Sequence, residues 1–377
     1  MTPRSIAGTW QPGDDPGHRQ FARLVERDQP GFTLESGNVL SELTVAYETW
    51  GELNGSRSNA VLVSHALTGD SHAIGPKGPG HPTVGWWEGL IGPGLAIDSD
   101  LFYVVCPNVL GGCQGTTGPS SVAPDGHPYG PRFPLITIRD QVAAEVALVD
   151  HLGITKWFSV IGGSMGGMRS LEWSVGYPER VERAVVLAVG AAASAEQIAL
   201  CSLQIRAIET DPTFANGYYY ETDDRPDEGL NIARGIGQLS YRTAQEFDLR
   251  FGRTAQGDED PLRGGRYAVE SYLEYQGDKL SARFDANSYI TLSRAMNSHD
   301  VGRGRGGVES ALRSVRANVT VIGIASDRLY PLSQQQEISE YLPGDDKLHV
   351  IDSITGHDGF LLEIDAIGKI VKDSLQL

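Results

Sequence analysis

The chain has 377 residues and a mass of 40.6 kDa, with 40% hydrophobic and 21% charged residues. This composition is typical of a folded globular protein with one large domain or two ordinary ones, and it excludes a disordered or fibrous chain. The formal net charge of −17 disfavours nucleic acid and anionic lipid as partners, because both would need a basic face.

The N-terminal residues do not combine a positively charged segment with an apolar one, and no apolar run approaches the roughly 20 residues that span a bilayer. We therefore expect a cytoplasmic protein with no membrane partner. Cys106, Cys113 and Cys201 form an odd set without metal-ligand spacing. The sequence predicts reduced thiols, no disulfide framework and no metal site.

Strands and helices alternate along most of the chain. After about 40 polar, turn-rich residues, β-branched apolar runs predict strands at "LTVAYETWG", "NAVLVSHALTGD", "DLFYVVCPNVLGG", "KWFSVIGG" and "RVERAVVLAVG". A helical pattern follows "FPLITIRD". Continuous apolar strands separated by helices indicate an α/β fold with a mostly parallel sheet flanked by helices.

The alternation stops near residue 190 and resumes at "ANVTVIGIASDRLYP". Between these points the pattern is almost entirely helical. The sequence therefore predicts a discontinuous catalytic domain of residues 1–190 and 316–377, interrupted by a helical cap, or lid, of residues 191–315.

The stretch "FSVIGGSMGGMRSLEW" crosses from a predicted strand to a predicted helix through G-x-S-x-G, with Ser164 at its centre. In a nucleophile elbow, the serine stands on strained backbone, and glycines leave room where a Cβ would strike the neighbouring strand or helix. A glycine turn with a helix-capping serine is the structural alternative. A catalytic serine also needs a histidine base and a carboxylate that orients it.

The carboxylate is expected downstream of the serine. Asp327 lies just past the end of an apolar strand, where sheet enzymes keep functional groups. Asp345 and Asp346 belong to a predicted turn, and Asp352 directly follows a strand run. Asp327 is therefore the predicted acid.

Two histidines follow Asp327 in the chain. His349 is embedded in the predicted strand "KLHVI", whereas His357 in "ITGHDGFL" lies in a loop before a helix. His357 is the predicted base, and the three residues in this order predict a Ser-Asp-His triad.

The oxyanion hole should combine two backbone N–H groups, one from the residue after the nucleophile and one from an early strand-to-helix loop. Met165 is the first, and Leu67 in "SHALTGD" is the second; His65 in that loop is interpreted as structural. The glycine-rich "NVLGGCQGTTGPSS" lacks G-K-[ST] and is not a phosphate-binding P-loop.

Several longer runs carry a family resemblance. The runs "SHALTGDSHA", "GWWEGLIGPGLAIDSDLFYVVCPNVLGGCQGTTGPSS", "FPLITIRDQV", "GGSMGGMRSLEW", "ASDRLYP" and "GHDGFL" resemble homoserine O-acetyltransferases of the α/β-hydrolase fold. The resemblance covers nearly the whole chain after about residue 35. Arg169 stands where relatives often carry Gln, which bears on substrate preference rather than on the triad.

The resemblance implies acetyl transfer from acetyl-CoA to L-homoserine in methionine biosynthesis, through an acyl-Ser164 intermediate. Acetyl-CoA is then a co-substrate, and no permanently bound cofactor is expected. The resemblance also places Arg234 and Tyr241 on the substrate, with Arg234 on its carboxylate, and Asp358 on its ammonium group. It implies a homodimer joined through the cap.

Three alternatives remain open at this stage. A succinyl donor or a serine acceptor would keep the fold, with Arg169 as a candidate cation for a succinyl carboxylate. A plain serine esterase would hydrolyse acyl esters at a rate unaffected by homoserine. A non-catalytic ligand receptor would retain the pocket without needing the nucleophile.

Overall fold

A computed structural model of the chain describes residues 8–344 and 348–376. Asp345 and Asp346 of the predicted turn lie outside the described residues. An eight-stranded sheet crosses the molecule in the order β1-β2-β4-β3-β5-β6-β7-β8. Its strands are β1 (Gln20–Val25), β2 (Leu43–Trp50), β3 (Ala60–Ser64), β4 (Tyr103–Pro107), β5 (Trp157–Gly163), β6 (Val181–Leu187), β7 (Asn318–Ile324) and β8 (Leu348–Ile351).

Two pairings at one edge of the sheet are antiparallel, that of β1 with β2 and that of β2 with β4. Strand β2 therefore runs opposite to the other strands. All other neighbours are parallel, from β4 through β3, β5, β6 and β7 to β8. The fold class predicted from the alternating pattern is confirmed. Strand β1 lies within the polar N-terminal stretch for which the sequence predicted no element, because an edge strand needs only one apolar face.

Eleven α-helices of the described residues surround the sheet. They are α1 (Ile138–His151), α2 (Met165–Gly176), α3 (Ala195–Glu209), α4 (Asp227–Tyr241), α5 (Ala244–Arg250), α6 (Ala268–Ser281), α7 (Ala286–Asn297), α8 (Val308–Arg313), α9 (Leu332–Tyr341), α10 (Gly359–Leu362) and α11 (Ile364–Ser374). None of them is both long and apolar enough to cross a bilayer.

The core lies in two layers, one on each face of the sheet. Alternate residues of β3 divide between them: Ala60 and Leu62 belong to one apolar cluster, Val61 and Val63 to the other. Because successive side chains of a strand point to opposite faces, a strand covered on both sides must be apolar throughout. This explains the continuous apolar runs of the sequence.

The segment between β6 and β7 contains α3 to α8 and no strand of the main sheet. Helix α4 packs against α3 and α6, which places it within this helical layer. The division into residues 1–190, 191–315 and 316–377 stays a prediction, since it sets domain boundaries rather than element positions.

Candidate active site

Ser164 lies between the end of β5 and the start of α2, with φ of 57° and ψ of −126°. A positive φ is uncommon for a residue with a side chain and stores strain that the surroundings must hold. The backbone N–H of Ser164 donates to the Leu187 carbonyl at 3.0 Å, and its carbonyl accepts from the Met168 N–H at 3.0 Å. These bonds fix the turn that carries the hydroxyl.

Close backbone approach explains the glycines around Ser164. A Cβ on Gly166 would lie 2.0 Å from the Ser64 carbonyl oxygen, and one on Gly162 would lie 2.4 Å from the Gly166 carbonyl carbon. Neither backbone can move without disturbing β3 or α2. The strand-to-helix turn therefore requires glycine on both sides of the serine.

The structure brings the serine together with the predicted base and acid. His357 Nε2 lies 2.9 Å from Ser164 Oγ, and His357 Nδ1 lies 2.7 Å from Asp327 Oδ2. All three residues are buried, with 8% of Ser164 exposed. This is the geometry of a serine, a base and an orienting carboxylate in series.

Asp327 is itself held by the backbone. Its Oδ1 accepts from the N–H groups of Leu329 and Tyr330, both at 2.9 Å, so that Oδ2 is left to His357. The His357 ring packs between aromatic side chains, with centroids 5.1 Å from Tyr330 and 5.2 Å from Phe360. The contacts leave the imidazole little freedom to rotate away from the serine.

The two predicted oxyanion donors lie at expected places in the fold. Met165 is the first residue of α2, and Leu67 lies in the loop after β3. Within residues 8–344 and 348–376, neither backbone N–H has a hydrogen-bond acceptor. Both donors are therefore available to a substrate oxygen.

Of the predicted substrate residues of α4, Tyr241 lies next to the base, and Arg234 lies next to Tyr241. The Tyr241 ring centroid is 5.8 Å from that of His357, and the Arg234 guanidinium carbon is 5.7 Å from the Tyr241 ring centroid. Burial raises the pKa of Tyr241 to about 12. Arg234 Nε is buried and finds no hydrogen-bond partner in the described part of the chain.

Asp358, the predicted partner of the substrate ammonium, is already paired. Its Oδ2 lies 3.0 Å from Arg242 Nε, and Arg242 also reaches Glu246 at 2.8 Å. A carboxylate can accept about four hydrogen bonds, so the pair leaves acceptor capacity. Sequence reasoning did not anticipate Arg242, because nothing in the spacing of a loop arginine points to a residue more than a hundred positions away.

Arg169 lies in the core rather than in the site. Its side chain is fully buried, and Nη1 donates to Glu145 Oε1 at 2.6 Å. Trp173 Nε1 donates to the other oxygen of Glu145 at 2.7 Å. Burial is the main influence on Glu145 and raises its pKa, against the opposing effect of the Arg169 cation. An arginine with these partners is unsuited to hold an acyl carboxylate beside Ser164.

One group of described side chains, Glu48, His72 and His81, brings possible metal-ligand atoms within 4.8 Å of one another. The two imidazoles are stacked, with centroids 3.8 Å apart and planes 10° apart, so one ion cannot lie in the planes of both rings. The His18 backbone N–H also donates to His81 Nε2 at 2.9 Å. His72 Nδ1 donates to Glu48 Oε2 at 3.1 Å, and these contacts fit a buried polar network better than a metal centre.

Comparison with known proteins places this geometry in a family. A model of the alpha/beta hydrolase fold matches residues 59–364. The chain is 58% identical to homoserine O-acetyltransferase of Thermobifida fusca over 374 residues, covering 99% of this chain and 98% of that protein. It is 56% identical to homoserine O-acetyltransferase of Mycobacterium leprae over 350 residues, covering 93% and 92% of the two chains.

Solved structures show the same similarity. The structure of homoserine O-acetyltransferase from Bacillus anthracis matches with a TM-score of 0.87 at 28% identity, covering 95% of this chain and 97% of that one. Esterase E22 matches with a TM-score of 0.86 at 29% identity, covering 95% and 99%. The chain belongs to the homoserine O-acetyltransferase family of the α/β-hydrolase fold.

Proposed function

We propose that the protein transfers the acetyl group of acetyl-CoA to the hydroxyl of L-homoserine, giving O-acetyl-L-homoserine and CoA. The observation that carries the proposal is the hydrogen-bonded series of Ser164, His357 and Asp327. The chain that holds it has a full-length relative named homoserine O-acetyltransferase. A cytoplasmic enzyme of methionine biosynthesis is consistent with this reaction.

In the first half-reaction, His357 Nε2 takes the proton of Ser164 as Oγ attacks the thioester carbonyl carbon. The C–S bond breaks, and the proton passes from His357 to the departing thiolate, which leaves as CoA thiol. Asp327 holds Nδ1–H and stabilises the transient imidazolium. The N–H groups of Leu67 and Met165 would stabilise the oxyanion, each by about 2.7–4 kcal/mol.

In the second half-reaction, the homoserine hydroxyl gives its proton to His357 and attacks the acetyl-serine carbonyl carbon. The bond to Ser164 Oγ breaks, and the proton returns to that oxygen. The enzyme must favour homoserine over water at this stage. Ser164, Asp327 and His357 are buried, and Tyr241 of α4 lies against the His357 ring. This burial supports exclusion of water, which favours a bound acceptor over solvent.

Recognition of a zwitterionic acceptor needs one cation and one anion. Arg234 would bind the carboxylate as a planar fork, and its unpartnered Nε supports that role. Tyr241 lies between Arg234 and His357, where it would contact the aliphatic part of the acceptor. Asp358, adjacent to the base in the chain, would take the ammonium group alongside Arg242.

The alternative acyl donor has less support. A succinyl donor would need a cation near Ser164, and Arg169, the candidate from the sequence, is paired with Glu145 in the core. The structural similarity to esterase E22 favours an esterase activity. The chain is, however, only 29% identical to that esterase and 58% identical to the acetyltransferase of Thermobifida fusca. Hydrolysis therefore serves as the competing outcome of the test.

The test measures thiol release from acetyl-CoA by the purified protein, with and without L-homoserine. We expect release that depends on homoserine, with succinyl-CoA and L-serine as poorer substitutes in matched reactions. Thiol release at the same rate without homoserine would support the esterase. No release with any pair of substrates would contradict the transferase.

The cap of residues 191–315 also supports a homodimer. Its helices expose large apolar side chains, among them Leu203 on α3, Ile232 and Leu239 on α4, and Leu249 on α5, between 50% and 70% exposed. Ile232 and Leu239 are seven residues apart and so share one face of α4. Light scattering of the wild type should give twice the chain mass, and Leu239→Asp should give a monomer; a monomeric wild type would contradict the proposal.

A further inference from the structure

The loop of residues 65–69, called here the oxyanion loop, begins with a buried histidine that the proposed mechanism does not use. His65 is 2% exposed. Its Nδ1 lies 2.8 Å from the Ala66 carbonyl oxygen, and its Nε2 accepts from the Val109 backbone N–H at 3.1 Å. A carbonyl can only accept and an N–H can only donate, so the proton of the neutral ring lies on Nδ1. Burial, followed by the nearby Arg169 cation, lowers the pKa of His65 to about 3.

The acceptor of that proton belongs to the same peptide group as a predicted oxyanion donor. The peptide that joins Ala66 to Leu67 carries the Ala66 carbonyl on one side and the Leu67 N–H on the other. The carbonyl accepts from His65 Nδ1 and from the Gly69 N–H at 3.0 Å. Two donors on the carbonyl fix the plane of the peptide and polarise its N–H.

Two arginines hold the same loop from opposite parts of the fold. Arg169, on α2, donates from Nη2 to the His65 carbonyl oxygen. Arg283, between α6 and α7, donates from Nη1 to the Thr68 carbonyl oxygen at 2.7 Å. Side-chain N–H groups thus donate to three carbonyl oxygens of the loop, those of residues 65, 66 and 68. The Leu67 N–H keeps no acceptor among the described residues. A loop held in this way costs little reorganisation when negative charge develops.

We propose that His65 is a positioning residue for acyl transfer: by donating its Nδ1–H to the Ala66 carbonyl, it aims the Leu67 N–H at the acyl oxygen on Ser164. This inference rests on the proposed function for the identity of the acyl group. His65 acts through the peptide and touches no substrate itself.

Two amide substitutions distinguish the role of the His65 donor, Nδ1–H, from that of its acceptor, Nε2. The side-chain amide of Asn reaches the position of Nδ1, so His65→Asn keeps a donor for the Ala66 carbonyl. The longer Gln reaches the position of Nε2, so His65→Gln keeps the contact with Val109 and loses the donor. His299→Asn is the control, because His299 is also buried and bonds one backbone carbonyl, that of Gly190 at 3.0 Å, away from the oxyanion loop.

The first measurement is the rate at which a fluorophosphonate labels Ser164. Labelling forms an O–P bond to Oγ, expels fluoride and places a phosphoryl oxygen where the acyl oxygen would lie. We expect His65→Gln to label about 10- to 100-fold more slowly than wild type, since loss of a whole oxyanion donor costs about 100- to 1000-fold. His65→Asn and His299→Asn should remain within a few-fold of wild type.

The second measurement is the steady-state kinetics of thiol release. His65→Gln should lower kcat by a similar factor and leave KM for acetyl-CoA nearly unchanged. Wild-type labelling and turnover by His65→Gln would overturn the proposal, and so would an equal loss in His65→Asn, which would indicate packing alone. Because the fluorophosphonate requires neither acetyl-CoA nor homoserine, failure of the proposed substrates would show as normal labelling without acetyl transfer.

A measurement on the wild type covers the case in which His65→Gln does not fold. Nitrogen NMR of the histidine side chains should show His65 as the neutral tautomer with its proton on Nδ1 from about pH 5 to pH 8. Its assignment follows from loss of that signal in His65→Asn. A proton on Nε2 instead would overturn the proposal.

Discussion

The ends of the sheet strands and helix α4, in the helical segment between β6 and β7, present their polar residues in different ways. Ser164, His357 and Asp327 are joined by hydrogen bonds of 2.9 and 2.7 Å, and Asp327 is further held by two backbone N–H groups. Arg234 on α4, by contrast, keeps a buried Nε without a partner in the described chain.

The difference separates a region that is complete on its own from one that is not. A serine and its base gain from being fixed before substrate arrives, because reorganisation during the reaction would raise the barrier. A buried guanidinium N–H without an acceptor is costly unless a ligand supplies one. We therefore expect the sheet residues to govern both half-reactions, and the α4 residues to govern only the step that uses the amino acid.

The largest effect is expected from removing the nucleophile, Ser164, which both half-reactions use. Ser164→Ala should lower kcat by about 10⁴-fold or more, because the nucleophile, base and carboxylate act as a unit. Mass spectrometry of the protein incubated with acetyl-CoA alone should show acetylation of the wild type and none of the variant. An acetylated variant, or residual turnover above about a tenth of wild type, would contradict the assignment of Ser164.

The sheet side was also the more predictable from sequence. The G-x-S-x-G spacing identifies Ser164 and Gly166, because close backbone contact in this tight turn admits only glycine. Asp327 could be chosen because it follows the end of a strand, and His357 because it lies in a loop whereas His349 lies within a strand. The Arg242 pair with Asp358 and the Arg169 pair with Glu145 join residues far apart in the chain, so no local pattern signals them.

The next largest effect tests whether Arg169 belongs to the core rather than to the acyl pocket. Arg169→Gln leaves Glu145 buried without its cation and should lower the free energy of unfolding by about 3–5 kcal/mol. The ratio of rates with acetyl-CoA and succinyl-CoA should stay unchanged. Urea denaturation and thiol release measure the two quantities.

A matched control replaces an arginine in an exposed ion pair. Arg313→Gln breaks the pair with Glu309, in which both side chains are more than half exposed, and should cost about 0–1 kcal/mol. A shift in donor preference without loss of stability in Arg169→Gln would place this arginine functionally in the acyl pocket.

A smaller effect is expected for helix α4. Arg234→Ala should lower kcat/KM for homoserine by about 10- to 100-fold, the value of a hydrogen bond to a charged group. Acetylation of Ser164 by acetyl-CoA alone should persist at the wild-type rate, as rapid-quench mass spectrometry would show. Arg206→Ala, which removes an exposed arginine of α3, is the control. Equal loss in both half-reactions would remove the distinction between the two regions.

The smallest effect concerns His299, which joins the loop after α7 to the segment that follows β6. His299 Nε2 bonds the Gly190 carbonyl at 3.0 Å, and the His299 carbonyl accepts from the Ala193 N–H at 2.9 Å. Burial lowers the pKa of His299 to about 4. Histidine in the unfolded chain takes up its proton near pH 6.5, so stability is fully present above that pH and is lost as the pH falls towards 4.

His299→Gln isolates this contribution, because the amide can still donate to Gly190 but cannot titrate. In the wild type, the free energy of unfolding should fall by about 1.4 kcal/mol per pH unit more than in the variant between about pH 6 and pH 4.5. Urea denaturation at a series of pH values measures both slopes, and His65 and His81, which are also held neutral by burial, contribute equally to each. Equal slopes would mean that His299 takes up a proton in the folded protein as readily as in the unfolded chain, and that its burial does not hold it neutral.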